Sequence, residues 1–171
     1  MINLFAEIIP GKSAAGFHLG QRIDYVKSSV TQLTHWDRAS GKTLPEVMTS
    51  TPGWLEIFES QLNGTGKEKI LCFGKGAVEL RFSGIGILYE IAVFEGYSGH
   101  LWTNIKIGCP LIDVQHFCEL TYDDGDEMHY PTENCSIEGI SFYAEEQALN
   151  YSPNQILQGI SIHDWHLRDQ Q

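Results

Sequence analysis

What this chain lacks narrows its chemistry first. Its 171 residues include only four cysteines, Cys72, Cys109, Cys118 and Cys135, at irregular spacings and with no Cys-x-x-Cys pair. That removes the zinc-ribbon and dithiol motifs and suits reduced thiols used as small hydrophobes. No apolar run is long enough to cross a bilayer, and the opening MINLFAEIIPG carries no basic leader. The expectation is a cytoplasmic protein with no membrane association. No Gly-x-Ser-x-Gly elbow occurs, so acyl transfer has no nucleophile turn to use. Cations are scarce in one region above all: residues 97–171 hold 2 Lys and Arg, Lys106 and Arg168, against 12 Asp and Glu, whereas residues 1–96 hold 9 against 10. The formal charge of −11 is therefore concentrated in the second part. Such a surface repels polyphosphate, which argues against nucleic acid as a partner, and attracts a basic protein.

The motifs that are present are incomplete. In AEIIPGKSAAGFHLGQRIDYV, Gly11, Lys12 and Ser13 look like the end of a phosphate-binding loop, but the glycine needed five residues earlier is Ala6. Pro10 also removes an N–H that would have to face the phosphates. His163 and His166 lie three apart in a stretch, ISIHDWHL, that alternates like a strand, and an odd separation there sends side chains to opposite faces. His116 and Cys118 lie two apart in a segment that reads as helix, where they diverge. Neither pair is matched by a second, so no metal or cofactor is expected. His129, His163 and Lys106 offer the residue types for general acid–base cleavage of RNA, but their surroundings hold almost no cation to bind the phosphate. No catalytic set emerges, and the expectation is a protein that is not an enzyme.

What is there is a pattern met twice. FHLGQRIDYV, residues 17–26, lies over IKIGCPLIDV, residues 105–114, matching Gly20 with Gly108, Ile23 with Leu111 and Val26 with Val114. Each reads as an apolar approach, a glycine turn and a helix start. The first helix carries Ile23, Val26, Val30 and Leu33 on one face, and the second carries Leu111, Val114 and Cys118. Downstream, AVELRFS alternates as a strand and pairs across Gly84 and Gly86 with ILYEIAVFEG. IEGISFYAEE and LQGISIHDWHL occupy the corresponding places, with Ile140 and Phe142 answering Leu80 and Phe82. An insert between Trp36 and Lys69 reads as a loop with a short strand or helix. The expected fold class is α+β: two related helix–strand–strand units with mainly antiparallel sheet. They would form one compact domain of two pseudo-repeats, about 1–96 and 97–171.

The strongest local anomaly is TYDDGDEMHYPTEN, residues 121–134. Its carboxylates lack the register of a calcium loop. Read blandly it is a solvated turn between helix and strand. Read functionally, its acids are interleaved with aromatic residues, a combination that anchors and steers a protein partner. The candidate partner-binding residues are Tyr122, Asp123, Asp124, Asp126, Glu127, Tyr130 and Glu133.

The elements GKSAAGFHLGQRIDYV, NIKIGCPLIDV and VELRFSGIGILYEIAVFEG resemble bacterial immunity proteins encoded beside polymorphic toxins, including those of contact-dependent growth inhibition. In outline the duplication is also similar to the beta-lactamase inhibitory proteins. The resemblance implies a non-enzymatic cytosolic inhibitor that binds one toxin domain and occludes its active site. The charge reading adds that this toxin is basic, such as a ribonuclease or deoxyribonuclease domain. The competing expectation is a small-molecule or lipid-binding α+β domain with an apolar pocket at residues such as Phe94, Tyr97 and Trp102.

Overall fold

The alternation of Val78, Leu80 and Phe82 makes a strand with one buried face, and the apolar run that follows, interrupted by Glu90, makes one buried on both faces. They meet in a computed structural model that describes residues 1–58, 60 and 67–169. A small hairpin, β1 (Ser13–Ala14) and β2 (Phe17–His18), precedes α1 (Ile23–Ser28) and β3 (Leu33–His35). Then come α2 (Leu44–Ser50), β4 (Trp54–Phe58), β5 (Lys69–Phe73), β6 (Val78–Phe82) and β7 (Leu88–Val93). A 3₁₀ turn (Leu111–His116) leads to β8 (Leu120–Asp123), β9 (Met128–Pro131), β10 (Ile140–Tyr143), β11 (Gly159–His163) and α3 (Trp165–Arg168).

Nine strands form one sheet in the order β3-β4-β5-β6-β7-β11-β10-β9-β8. Among the described strands of this sheet only β3 and β4 pair in parallel, so the fold is α+β with a large, mainly antiparallel sheet. From each side the strands run inward to a seam where β7 meets β11, with Val93 opposite Ile160, Ala92 opposite Ser161, Ile91 opposite Ile162 and Glu90 opposite His163.

One face of the sheet carries the main core. Leu80, Ile91, Phe142 and Ile162 are fully buried there beneath Ile23 and Val26 of α1, Leu111 and Val114 of the 3₁₀ turn, and Phe17 of the hairpin. Burying each of these large side chains contributes roughly 1.5–3 kcal/mol. Two sets of backbone hydrogen bonds attach the covering segments. Gly20 N–H donates to Leu88 O (2.8 Å), Leu88 N–H to Gln21 O (2.9 Å) and Ile23 N–H to Gly86 O (2.9 Å). Gly108 N–H donates to Leu157 O (2.8 Å), Leu157 N–H to Cys109 O (2.9 Å) and Leu111 N–H to Gln155 O (2.9 Å). On the opposite face α2 covers only the first half of the sheet, where Leu44, Val47 and Met48 pack on Leu55, Ile57 and Cys72. Its start is a capping box: Thr43 and Glu46 satisfy each other's backbone N–H groups.

The expected helices are shorter than the periodicity suggested. α1 stops at Ser28, and Leu33 lies in β3 rather than on the helix face. The hydroxyls of Ser28 and Ser29 donate to the carbonyls of Tyr25 and Val26, competing for the acceptors that close the last turn. Leu111 and Val114 are buried as expected, but on a 3₁₀ turn, with Cys118 beyond its end. The insert contains α2 and β4; residues 59 and 61–66 lie outside the described residues.

Gly139 locks β10 to the N-terminal segment. Its carbonyl accepts from both Gly11 N–H and His163 N–H at 3.0 Å, its φ is +69°, and a Cβ there would lie 2.6 Å from His163 O and 2.7 Å from Gly11 Cα. Both obstacles are backbone and have no rotamer to yield. Gly139→Ala is expected to lose on the order of 2 kcal/mol or more, read as a lower urea midpoint at unchanged slope.

Candidate partner-binding cleft

Side chains opposite one another in a sheet share a face, so the register assembles a polar row from distant stretches. Arg81 lies opposite Glu90, which lies opposite His163; Glu79 lies opposite Ala92, which lies opposite Ser161, itself opposite Ser141. All alternate with core residues and occupy the face that α2 leaves open. Of these, Arg81, Glu90 and Ser141 floor a cleft of about 230 Å³ there. Its walls are aromatic and acidic: Tyr143 from β10, Tyr130 and Asp126 from the β8–β9 hairpin, and Trp165 from α3.

The ionic groups of the floor gather at one end, where Arg81 Nε makes no hydrogen bond among the described residues. Glu90 is 5% exposed; its Oε1 accepts from Ser161 Oγ at 2.7 Å and its Oε2 lies 3.5 Å from Arg81 Nε. Arg81 Nη2 reaches Glu79 Oε2 at 3.5 Å. Burial raises the Glu90 pKa, a rise that Arg81 and Ser161 oppose. For Arg81 burial disfavours the charge, but Glu90 and Glu79 outweigh it and the pKa is raised. The other end also holds an unpartnered group. Ser141 is 1% exposed, and its Oγ has no hydrogen-bond partner among the described residues. Burial also raises the pKa values of Tyr143 and Tyr130; the Tyr130 hydroxyl donates to Asp126 Oδ2 at 2.8 Å, which raises its own further. Both tyrosines therefore act as neutral hydroxyls at physiological pH.

The acidic stretch forms a hairpin, not the turn between helix and strand of the bland reading, and its residues divide among several roles. Asp126 and Tyr130 wall the cleft. Asp123 holds the turn, its Oδ1 accepting from the N–H groups of Gly125 (2.8 Å) and Asp126 (3.1 Å). Asp124 and Glu127 are exposed on the turn, and Glu133 is exposed beyond β9, away from the cleft lining. Tyr122 lies opposite His129, 5.0 Å between ring centroids, and His129 in turn lies opposite the core residue Phe142; this row belongs to the other face. Arg81, Glu90, Ser141 and Tyr143 were missed by the sequence reading. One signal was available: Glu90 is a lone acid inside the apolar run of β7, and a charge in such a run must have partners.

His163 and His166 do not diverge as the strand pattern implied. β11 ends at His163, Asp164 caps α3 by accepting from His166 N–H at 3.0 Å, and both histidines line one cleft of about 340 Å³ with Glu138 and Trp165. Among the described residues no three His, Cys, Asp or Glu side chains are grouped to hold a metal ion. The His163 ring stacks on Trp165 at 4.5 Å, its Nε2 has no partner among the described residues, and burial pulls its pKa down to about 4 against the attraction of Asp164 and Asp126. Between about pH 4 and 6.5 the unfolded chain binds more protons than the folded one at this position, so His163 makes stability rise with pH through that window and fall as acid is added. His163→Phe is expected to be near neutral at pH 7 and to lose less stability than the parent between pH 6.5 and 4.5, measured by urea unfolding at each pH.

A larger groove of about 620 Å³ lies between Phe94, Tyr97, Ile107, Ile156 and Leu157. Tyr97 is committed there to holding the N-terminal segment, donating to Ala6 O at 2.7 Å and accepting from Ala15 N–H at 3.1 Å. Trp102 does not line it and stacks on Phe117. No protein-family model, curated protein or solved structure matches the chain.

Proposed function

We propose that this chain is an immunity protein: a binder without catalytic activity that neutralises a basic bacterial toxin domain, a nuclease above all, by covering its active site. The observation that carries the reading is the cleft on the open sheet face, walled by aromatic rings and carboxylates and continuous with an acidic hairpin. It lies in a molecule whose residues 97–171 hold 12 acids against 2 Lys and Arg. Aromatic anchors supply binding energy where water is excluded, and surrounding charge speeds the encounter, which an inhibitor of a lethal enzyme requires. A nuclease domain is cationic where it holds polyphosphate and so complements this surface.

The two helix–strand–strand units, about 1–96 and 97–171, belong to the same proposal as duplicated halves. The matching hydrogen bonds of Gly20, Gln21 and Ile23 with the β7 region, and of Gly108, Cys109 and Leu111 with the β11 region, support it. Such a duplication would give the acidic half a scaffold partner free to diverge.

The test is capture with the tagged chain from lysate of its own host, washed across a salt series, followed by an activity assay on what is retained. A single basic toxin domain, inhibited while bound and released as salt rises, is the expected result. A co-purifying small molecule or lipid with no protein would favour the binding-domain reading, for which the groove beside Phe94 is the available site.

A further inference from the structure

We infer that the cleft is a receptor for one arginine side chain of the partner, with Ser141 and Asp126 as its ligating residues; the inference rests on the proposed binding function and names what that surface recognises. Three observations meet here. Ser141 Oγ is buried against the cleft with no partner among the described residues, so a hydroxyl free to accept or donate is held out of water at the floor. Tyr130, Tyr143 and Trp165, the last stacked on His163 by one face, bring aromatic rings to the lining, and aromatic rings attract a cation lying over a free face. The lining carboxylates, Asp126 and Glu90, outnumber the single lining cation, Arg81, which is itself held between Glu90 and Glu79. An incoming anion would face Asp126 and Glu90, and the charge of Arg81 is already countered by Glu90 and Glu79, although its Nε makes no hydrogen bond among the described residues.

Among cations, the geometry selects guanidinium over ammonium. A planar fork stacks on aromatic rings while its edge N–H groups donate to separate acceptors, and it sheds water at lower cost than a compact ammonium. Asp126 on the wall and Ser141 on the floor are two acceptors of the kind that fork needs, one charged and one neutral. Each terminal nitrogen of the guanidinium carries donors enough for both.

The experiment titrates the full chain with acetyl-arginine N-methylamide, following the Trp165 indole N–H and the Ser141 amide by NMR. Acetyl-lysine and acetyl-glutamate N-methylamides serve as comparison probes. Saturable shifts confined to the cleft are expected with the arginine probe, weaker binding with lysine by about fivefold or more, and none with glutamate. Ser141→Ala and Asp126→Asn should each weaken the arginine probe by about tenfold with spectra otherwise native, and Glu133→Gln should leave it unchanged. Absence of saturable shifts, equal binding of lysine, preference for glutamate, or indifference to both cleft substitutions would each overturn the inference. Its failure is distinguishable from failure of the immunity reading: a basic toxin still captured by the Ser141→Ala and Asp126→Asn variants with undiminished affinity keeps the binding function and removes the arginine receptor.

Discussion

Lys27→Ala is expected to lower the unfolding free energy by about 2–3 kcal/mol, less than the roughly 3–5 kcal/mol of a fully buried ion pair because the Lys27 side chain is 32% exposed. Glu56 lies inside β4 between Leu55 and Ile57 and is 1% exposed. Its carboxylate takes Lys27 Nζ from α1 on one oxygen and His35 Nδ1 from β3 at 3.0 Å on the other. Without the lysine the buried carboxylate keeps, among the described residues, a histidine that is itself largely exposed, and its charge is left undercompensated inside the sheet. Because the Lys27–Glu56 pair joins α1 to β4, the loss also loosens the helix from the sheet. Removing both charges should hurt far less: Lys27→Met combined with Glu56→Leu is expected to recover most of the stability, since a buried pair replaced by apolar side chains is often neutral. Urea unfolding of both single variants and of the double closes the cycle. A single-variant cost below about 1 kcal/mol would show that the pair does not tie α1 to β4.

The second large effect concerns binding. Replacing Asp124, Asp126 and Glu127 together with lysine is expected to weaken the toxin complex by about a hundredfold or more at low salt and to flatten its salt dependence. The three substitutions act at different stages. Asp124 and Glu127, exposed on the turn, steer the encounter, and their reversal lowers the association rate. Asp126, on the cleft wall, holds the bound partner, and its reversal raises the dissociation rate. Asp123 is left in place because its Oδ1 makes the turn, and altering it would confuse loss of charge with loss of shape. Calorimetric titration of the captured domain at several salt concentrations measures the effect; unchanged affinity in a natively folded triple variant would reject the hairpin as the contact.

The β6–β7 hairpin was legible because Val78, Leu80 and Phe82 alternate without interruption and glycines follow. The buried faces of Ile23 with Val26 and of Leu111 with Val114 were legible from their three-residue spacing. Where the helices end was not, since Val30 and Leu33 keep the same spacing after serine hydroxyls have taken the carbonyls of the last turn. β8 and β9 were hidden for another reason: their strands are short and carry acids, tyrosines and a buried histidine in place of an apolar alternation, and it is their pairing with each other and with β10 that makes them strands. The acidic hairpin was visible as local charge, but the cleft floor was not. Arg81, Glu90 and Ser141 lie far apart in the sequence, and strand register alone brings them to one face.

The seam between β7 and β11 also sets when this molecule is able to fold. As the chain is synthesised, β7 is completed at Val93 while its neighbour β11 begins only at Gly159. Throughout that interval the first half presents an unpaired strand edge with Ile91 and Val93 beneath it, the kind of surface that recruits other chains. Ribosomes stalled in this stretch would therefore carry an adhesive nascent chain. Closing that edge by β11 turns five strands open on one side into a continuous nine-stranded sheet.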